Sequence, residues 1–517
     1  MSTDSTTKQP PVRQLLLRGF GWALGQSVGG LLVQLITLVV LSRLLTPSEF
    51  GIVAIVVSLL GGLTLVVELG VGPALIQRSS ITSRHIGSAI WLSVSLGILL
   101  LVILQLVAPP LAAWLGIGDQ ATALRFLTVI VLLRPLVTIL SAIARRDLQM
   151  REAATADLIG TALGYSVVAI GMALLGLGIW ALVTAQIAQL VLTLLILAYY
   201  QRRKLSLRAG IRETRDVLSF GAYFSIGRLA NYAAQKFDRA LVGALLGREA
   251  AGYYQRALNM LQLVGPFLSG PLDAVLFPLL SRMQDDSARL RRSYRASTAA
   301  AAMLTMPVSV LLCISAPVLV PLVLGSQWHG VVVVAQIMSG LLFFRTNDSI
   351  TATLVRATGR VKGRAALQVL YAALSLGSIW ALQDFGLAGI AVGLLCTTIL
   401  NFVLMSFLVR RVTTMNLADN FTPLIPGALI ALVLGLLVAG SYLLLGRALF
   451  TLPWMTLHLA VSGLVYLLLV AFLPASLMPA EVASLRATAL KKAARRVRIG
   501  RVPKADLAAA QGVGQPT

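Results

Sequence analysis

Arg228, Asn231, Tyr232, Gln235, Asp238 and Arg239 recur every three or four residues in a stretch that is otherwise apolar. That spacing puts them on one face of a helix, with Lys236 about 100° away. A charge at mid-bilayer costs about 2.5–3.5 kcal/mol on insertion scales, so such a face must meet water or protein rather than lipid. Its chemistry is that of an anion site. The guanidinium of arginine grips phosphate through paired donors, and amides add neutral hydrogen bonds.

Other apolar stretches carry polar groups of the same kind. The cations inside them are Arg134, Arg228, Lys236, Arg239, Arg256 and Arg345, and the carboxylates are Glu68, Asp157, Asp238, Asp273 and Asp348. Gln255, Asn259 and Gln262 follow on the next helix, and Asn347 stands beside Asp348. Arg228, Asn231, Gln235, Lys236, Arg239, Arg134 and Arg345 are the candidates for binding an anionic cargo such as a pyrophosphate. Glu68, Asp238 and Asp348 are the candidates for a coupling ion. Structural readings stand beside these. Asp238 and Arg239 also read as a structural pair, Glu68 as an interhelical hydrogen-bond partner, and Asp273 as support for a backbone bent at Gly270 and Pro271. Arg256 and Asp348 read as side chains that snorkel to an interface.

The elements that hold these residues must be membrane helices. The chain has 517 residues, 57% hydrophobic and only 12% charged, against about 25% charged in soluble domains. Its apolar runs are long and do not alternate, which selects helices over a barrel. We read fourteen spans, from 15–43 to 452–474, with the charged pair at 217–246 and 250–280. Lys and Arg confirm the alternation. One set of connections holds nearly all of them, whereas the other holds only Arg43, Arg125, Arg248 and Arg447. By the positive-inside rule both termini are cytoplasmic. The net charge of +24 is thus a matter of topology, not of nucleic-acid binding. The longest outer loop is expected near 109–120, around Pro109, Pro110 and Trp114.

Two repeats emerge. Leu44–Gly51 matches Leu245–Gly252 at an offset of 201, which also sets Gln34 on Gln235, and Arg145–Gly178 matches Arg356–Gly389 at an offset of 211. They predict two six-helix lobes in a parallel repeat. The expected organisation is a cytoplasmic N-terminal tail 1–14, an N-lobe 15–200, a linker 201–216, a C-lobe 217–410, two further helices in 411–474, and a basic cytoplasmic tail 475–517. At the offset of 201, Ser27, Gly30, Thr37 and Leu38 stand where the second lobe has Arg228, Asn231, Asp238 and Arg239. The first helix is therefore expected mainly to pack.

No phosphate-loop signature G-x-x-x-x-G-K-[ST] occurs. His85, His329 and His458 are scattered without metal-ligand spacing, and Cys313 and Cys396 lie in apolar runs. No cofactor or metal is expected, and the short outer loops leave little room for a catalytic domain.

The run from Arg228 through Asn231-Tyr232, Asp238, Gly243, Gly252-Tyr253-Tyr254 and Pro266 to Val275–Asp286 resembles the polysaccharide-biosynthesis flippases of the multidrug/oligosaccharidyl-lipid/polysaccharide superfamily. Within them it is most similar to the exopolysaccharide exporters. Ser42–Gly51, Arg145–Gln149 and Gly178–Leu182 fit the same pattern, and the resemblance spans about residues 15–470. It implies an all-α integral membrane protein with a cationic central cavity, in the bacterial inner membrane. The implied cargo is undecaprenyl-pyrophosphate-linked oligosaccharide, moved by alternating access for exopolysaccharide or lipopolysaccharide assembly. Implied partners are membrane lipids and polymerase and chain-length proteins. The alternatives are a peptidoglycan lipid-precursor flippase, a cation-coupled multidrug exporter, and, in another class, a membrane polymerase or ligase acting on the same carrier lipid.

Overall fold

The structure is a computed structural model that describes residues 29–77, 80–206, 208–281, 283, 286–358, 361–413, 415–445, 452–474 and 482–484. The N-terminal tail, and the basic C-terminal tail apart from 482–484, lie outside the described residues. So do the side chains of Arg228, Asn231, Gln235 and Asp273. Among the described residues every regular element is helical. Eight helices are long and apolar enough to cross a membrane, with shorter apolar helices at Gly29–Leu44 and Thr456–Phe472. The protein is a multi-pass membrane protein.

The described residues divide into two compact units. One comprises Met1–Leu263, Ala316–Met338 and Ala366–Thr398; the other comprises Val264–Ser315, Ser339–Ala365 and Ile399–Thr517. The candidate site lies within the first, which holds α1 (Gly29–Leu44), α2 (Pro47–Glu68), α3 (Val71–Gln77), α4 (Ser83–Trp114), α5 (Ala121–Leu127), α6 (Ile130–Arg146), α7 (Met150–Ile159), α8 (Val168–Leu174), α9 (Ile179–Gln201) and most of α10 (Ile211–Ser281).

The start of α2 is written in its sequence. Thr46 caps it, Pro47 occupies the first turn, and Glu49 closes a capping box onto Thr46. The helix ends where Leu69 and Gly70 turn left-handed. In its apolar window 67% of residues are buried, against 17% for α4. Thus α2 runs through the interior of the unit while α4 presents an apolar flank suited to lipid.

The loop expected at 109–120 is shorter than its prolines suggest, because α4 continues through Pro109 and Pro110 to Trp114. A proline removes one backbone donor, but the turn beyond keeps its own, with Leu115 N–H donating to Leu111 O at 3.0 Å. The chain breaks only at Gly116, where φ is +69°.

Between α7 and α8 the helix widens into a π-helical segment, Gly160–Val167. Its i→i+5 pattern sets residues five apart on nearly one line. Ser166 Oγ accordingly donates to the carbonyl of Thr161 at 3.0 Å. The wide turn fits because α9 lies against glycines. A Cβ on Gly164 would fall 2.7 Å from Gln189 Cα, and one on Gly160 would fall 2.0 Å from Thr193 Oγ1. Backbone cannot yield as a side-chain tip can, so Gly164→Ala should destabilise by about 1–3 kcal/mol. A lowered thermal midpoint in detergent would report this, and an unchanged one would refute the packing.

α10 is two helices joined at Gly247, whose φ of 87° and ψ of 172° fold the chain back on itself. The reversal occurs beside a contact between turns that match in the repeat. A Cβ on Gly51 would lie 1.6 Å from Arg248 O, and one on Gly252 would lie 2.0 Å from Pro47 O. The two contacts are reciprocal at the repeat's own offset of 201.

The second unit is also helical. Leu276, Leu280, Leu290, Tyr294, Ile350, Leu354 and Val409 form one of its buried clusters, drawn from α10, α11 (Ser287–Leu324), α13 (Leu341–Ala357) and α15 (Gly386–Thr413), with α12 (Val331–Ser339) and α14 (Val361–Ala381) between them in the chain.

Candidate functional site

A cavity of about 550 Å³ lies within the first unit. α2 lines it with Phe50, Ala54, Val57, Ser58, Gly61, Leu65 and Glu68, a series at helical spacing that forms one stripe. α6 adds Arg134 and Thr138 one turn apart, α9 adds Gln186, and the two arms of α10 add Tyr232, Lys236, Arg239, Gln255, Arg256 and Asn259. The fold at Gly247 brings those arms to the same space.

The charges are lopsided. Among the described lining residues Arg134, Lys236, Arg239 and Arg256 meet a single carboxylate, Glu68. Glu68 is buried and accepts a 2.9 Å hydrogen bond from Thr138 Oγ1. Asp238 is also buried, but it turns to its neighbours. It accepts from Tyr254 Oη at 2.9 Å and from the Arg239 backbone N–H at 2.9 Å, and it lies 3.7 Å from Arg239 Nη1. Tyr232 Oη donates to Ser58 O at 2.9 Å, tying α10 to α2 across the cavity wall. Gly61 makes room for that phenol, since a Cβ there would fall 2.0 Å from its oxygen.

Arg256 departs most from the sequence expectation. It does not snorkel. Only 5% of it is exposed, and its guanidinium carbon sits 3.6 Å from the centroid of Phe50 and 5.4 Å from that of Trp328. Trp328 is anchored by its indole N–H, which donates to Ser42 O at 2.6 Å. Among the described residues Arg256 Nε and Nη2 have no hydrogen-bond partner. Cation–π contact is worth about 0.5–2 kcal/mol, whereas burying an ion costs several kcal/mol even after relaxation. The aromatic pair does not balance that cost.

A second pocket of about 260 Å³ adjoins the first and shares Tyr165, Arg256 and Asn259 with it. α1 lines it with Gln34, Thr37, Leu38 and Leu41, and the π segment lines it with Thr161, Tyr165 and Ser166. The first helix therefore contributes more than packing.

Of the residues singled out by sequence, Glu68, Arg134, Lys236 and Arg239 converge on the cavity. Arg345 and Asp348 belong to α13 in the second unit. There Asp348 lies 3.6 Å from Arg364 Nη2 and accepts from Asn401 Nδ2 at 3.4 Å. Among the described residues no His, Cys, Asp and Glu cluster could hold a metal ion.

The family described as polysaccharide biosynthesis protein matches residues 40–333, more than half of the chain and nearly all of the cavity-lining elements. The chain belongs to the polysaccharide biosynthesis protein family. Two curated relatives agree with that membership. The teichuronic acid biosynthesis protein TuaB of Bacillus subtilis (strain 168) is 22% identical over 436 residues, covering 83% of this chain and 90% of that protein. The lipopolysaccharide biosynthesis protein WzxC of Escherichia coli (strain K12) is 23% identical over 404 residues, covering 77% and 82%. Among solved structures, the lipid II flippase MurJ in an inward closed conformation matches with a TM-score of 0.68 at 13% identity, over 88% of this chain and 98% of that one. That likeness is one of fold.

In this polysaccharide biosynthesis protein, sequence reasoning underweighted Arg256 and missed Tyr165 and Gln186. Arg256 stands close to the turn at Gly247, and the aromatics that enclose it are remote in the chain. The one available signal was its place beside Gln255 and Asn259 on a polar face.

Proposed function

We propose that the protein is a lipid-linked oligosaccharide flippase. It moves undecaprenyl-pyrophosphate-linked repeat units from the cytoplasmic to the periplasmic leaflet of the bacterial inner membrane, as a secondary transporter and not an enzyme. The observation that carries this is the cavity itself, where among the described residues Arg134, Lys236, Arg239 and Arg256 face one carboxylate, Glu68. Such a site suits an anionic head group and repels the cationic drugs that a multidrug exporter takes. The names of the relatives, a teichuronic acid and a lipopolysaccharide biosynthesis protein, support a cargo used in polysaccharide assembly.

In this reading the fold has fourteen spans, with both termini in the cytoplasm. The pyrophosphate sits among the cations while the prenyl chain stays in lipid. Arg228, Asn231 and Gln235 complete the proposed contacts on α10, Arg345 is a proposed cargo-binding residue of the second unit, and Glu68, Asp238 and Asp348 are the proposed carriers of a coupling ion. An inside-negative potential drives an anion outward by about 2.3 kcal/mol per charge per 100 mV, so ATP is not required.

Proteoliposomes loaded with lipid-linked oligosaccharide test the reading. The wild type should translocate it, and the Arg134→Ala/Lys236→Ala double variant should do so roughly tenfold more slowly or worse, since hydrogen bonds to charged groups are worth about 1.5–3 kcal/mol each. A wild type that leaves the lipid in place would sink the proposal, and extension of the glycan chain by the pure protein would replace it with an enzyme.

A further inference from the structure

We infer that the 260 Å³ pocket is a subsite for a sugar ring of the cargo. The inference rests on the reading that the adjoining cavity holds the pyrophosphate.

The two spaces differ in chemistry. Among the described lining residues the larger carries four cations, while in the smaller Arg256 is the only charged one. The rest of the small pocket is mostly amide and hydroxyl. Among the described residues Gln34, Tyr165 and Gln262 have no side-chain hydrogen-bond partner. A side-chain amide offers two donors and an acceptor with two lone pairs, and a hydroxyl offers one donor with two lone pairs. That inventory matches the vicinal hydroxyls of a neutral sugar. A second phosphate would call for more cations.

Geometry adds a second argument. The spaces share Arg256, Tyr165 and Asn259, so a group bonded directly to a pyrophosphate in the larger one reaches the smaller without crossing protein. The pocket is also a built feature. The π turn aligns Thr161 with Ser166, and Thr37 Oγ1 lies 2.7 Å from Ser166 Oγ, fixing α1 to that turn. Gln189 Nε2 donates to Thr161 Oγ1 at 3.2 Å from behind. These bonds hold the wall in place and leave the two free amides to read the cargo.

The test compares two probes on the purified full-length protein: bare undecaprenyl pyrophosphate, and lipid-linked repeat units extracted from membranes of the bacterium that makes the protein. The wild type should bind the glycosylated lipid about tenfold or more tightly than the bare one, equivalent to about 1.4 kcal/mol or more. Gln34→Leu and Gln262→Leu should each erase most of that preference while leaving affinity for the bare lipid within about threefold, because among the described residues neither side chain supports the fold through a hydrogen bond. A wild type without preference, or a preference that survives both substitutions, would overturn the subsite. So would equal loss of both lipids in both variants. A wild type that binds neither lipid would instead overturn the pyrophosphate reading beneath it, so the two failures are distinguishable.

Discussion

Arg256→Met should abolish transport while leaving the protein as stable as before or more so. The two halves of this result have one cause. Arg256 is buried with two guanidinium nitrogens unmatched among the described residues, and its cation–π contacts with Phe50 and Trp328 offset only part of the cost of burying the charge. Methionine keeps much of the volume and packs against the same rings, so replacement removes a burden from the folded state. Transport loses a buried charge-assisted contact, worth about 2–5 kcal/mol when one partner is truncated, or roughly 30-fold to several thousand-fold. Arg256→Lys should recover little, since an ammonium neither stacks flat on Phe50 nor forks onto a phosphate. Thermal midpoints measured beside proteoliposome flux decide the matter. Normal flux through Arg256→Met, or a large drop in its midpoint, would show that the residue is structural.

Gly51→Ala and Gly252→Ala should each cost stability and transport together. An added methyl at Gly51 would fall 1.6 Å from a backbone oxygen, and one at Gly252 would fall 2.0 Å from another. No flexible side chain can move aside, so the helices themselves must part. Overpacking of this kind costs about 1–3 kcal/mol and occasionally more. Gly171→Ala and Gly377→Ala are the controls, because a Cβ at either position meets nothing within 4 Å. Within a helix they should be neutral or slightly stabilising by propensity, on the scale of about 1 kcal/mol. If Gly51→Ala behaves like these controls, the reciprocal contact is not tight in the folded protein.

Much of this was legible from the residues alone. Apolar run length fixed the all-helical membrane class, because lipid leaves few other backbones. The period of Arg228 to Arg239 marked a polar face, of which the structure sets Tyr232 and Arg239 on the cavity, together with Lys236 from about 100° off that face and with Arg134 and Glu68 from other helices. The repeat of Leu44–Gly51 in Leu245–Gly252 singled out the two glycines that meet. What stayed hidden depends on contacts between distant segments. Nothing in Gly160–Val167 announces a π turn, since its wide register is set by the packing of Gly160 and Gly164 on α9. Arg256 looked peripheral because Phe50 and Trp328 reach it only in the folded chain. Helix ends were blurred too, as Pro109 and Pro110 show by lying inside α4.

The fold-back at Gly247 bears on how the protein is made. Asp238 is a carboxylate within an apolar stretch, and on insertion scales its entry into the bilayer alone is costly. Its partner Tyr254 follows sixteen residues later on the other arm of the same hairpin. The pair can close as soon as both arms have left the ribosome, before any later helix arrives. The hairpin is therefore the natural unit of insertion, in which a polar bond made early would lower the cost of bringing the buried acid into the membrane.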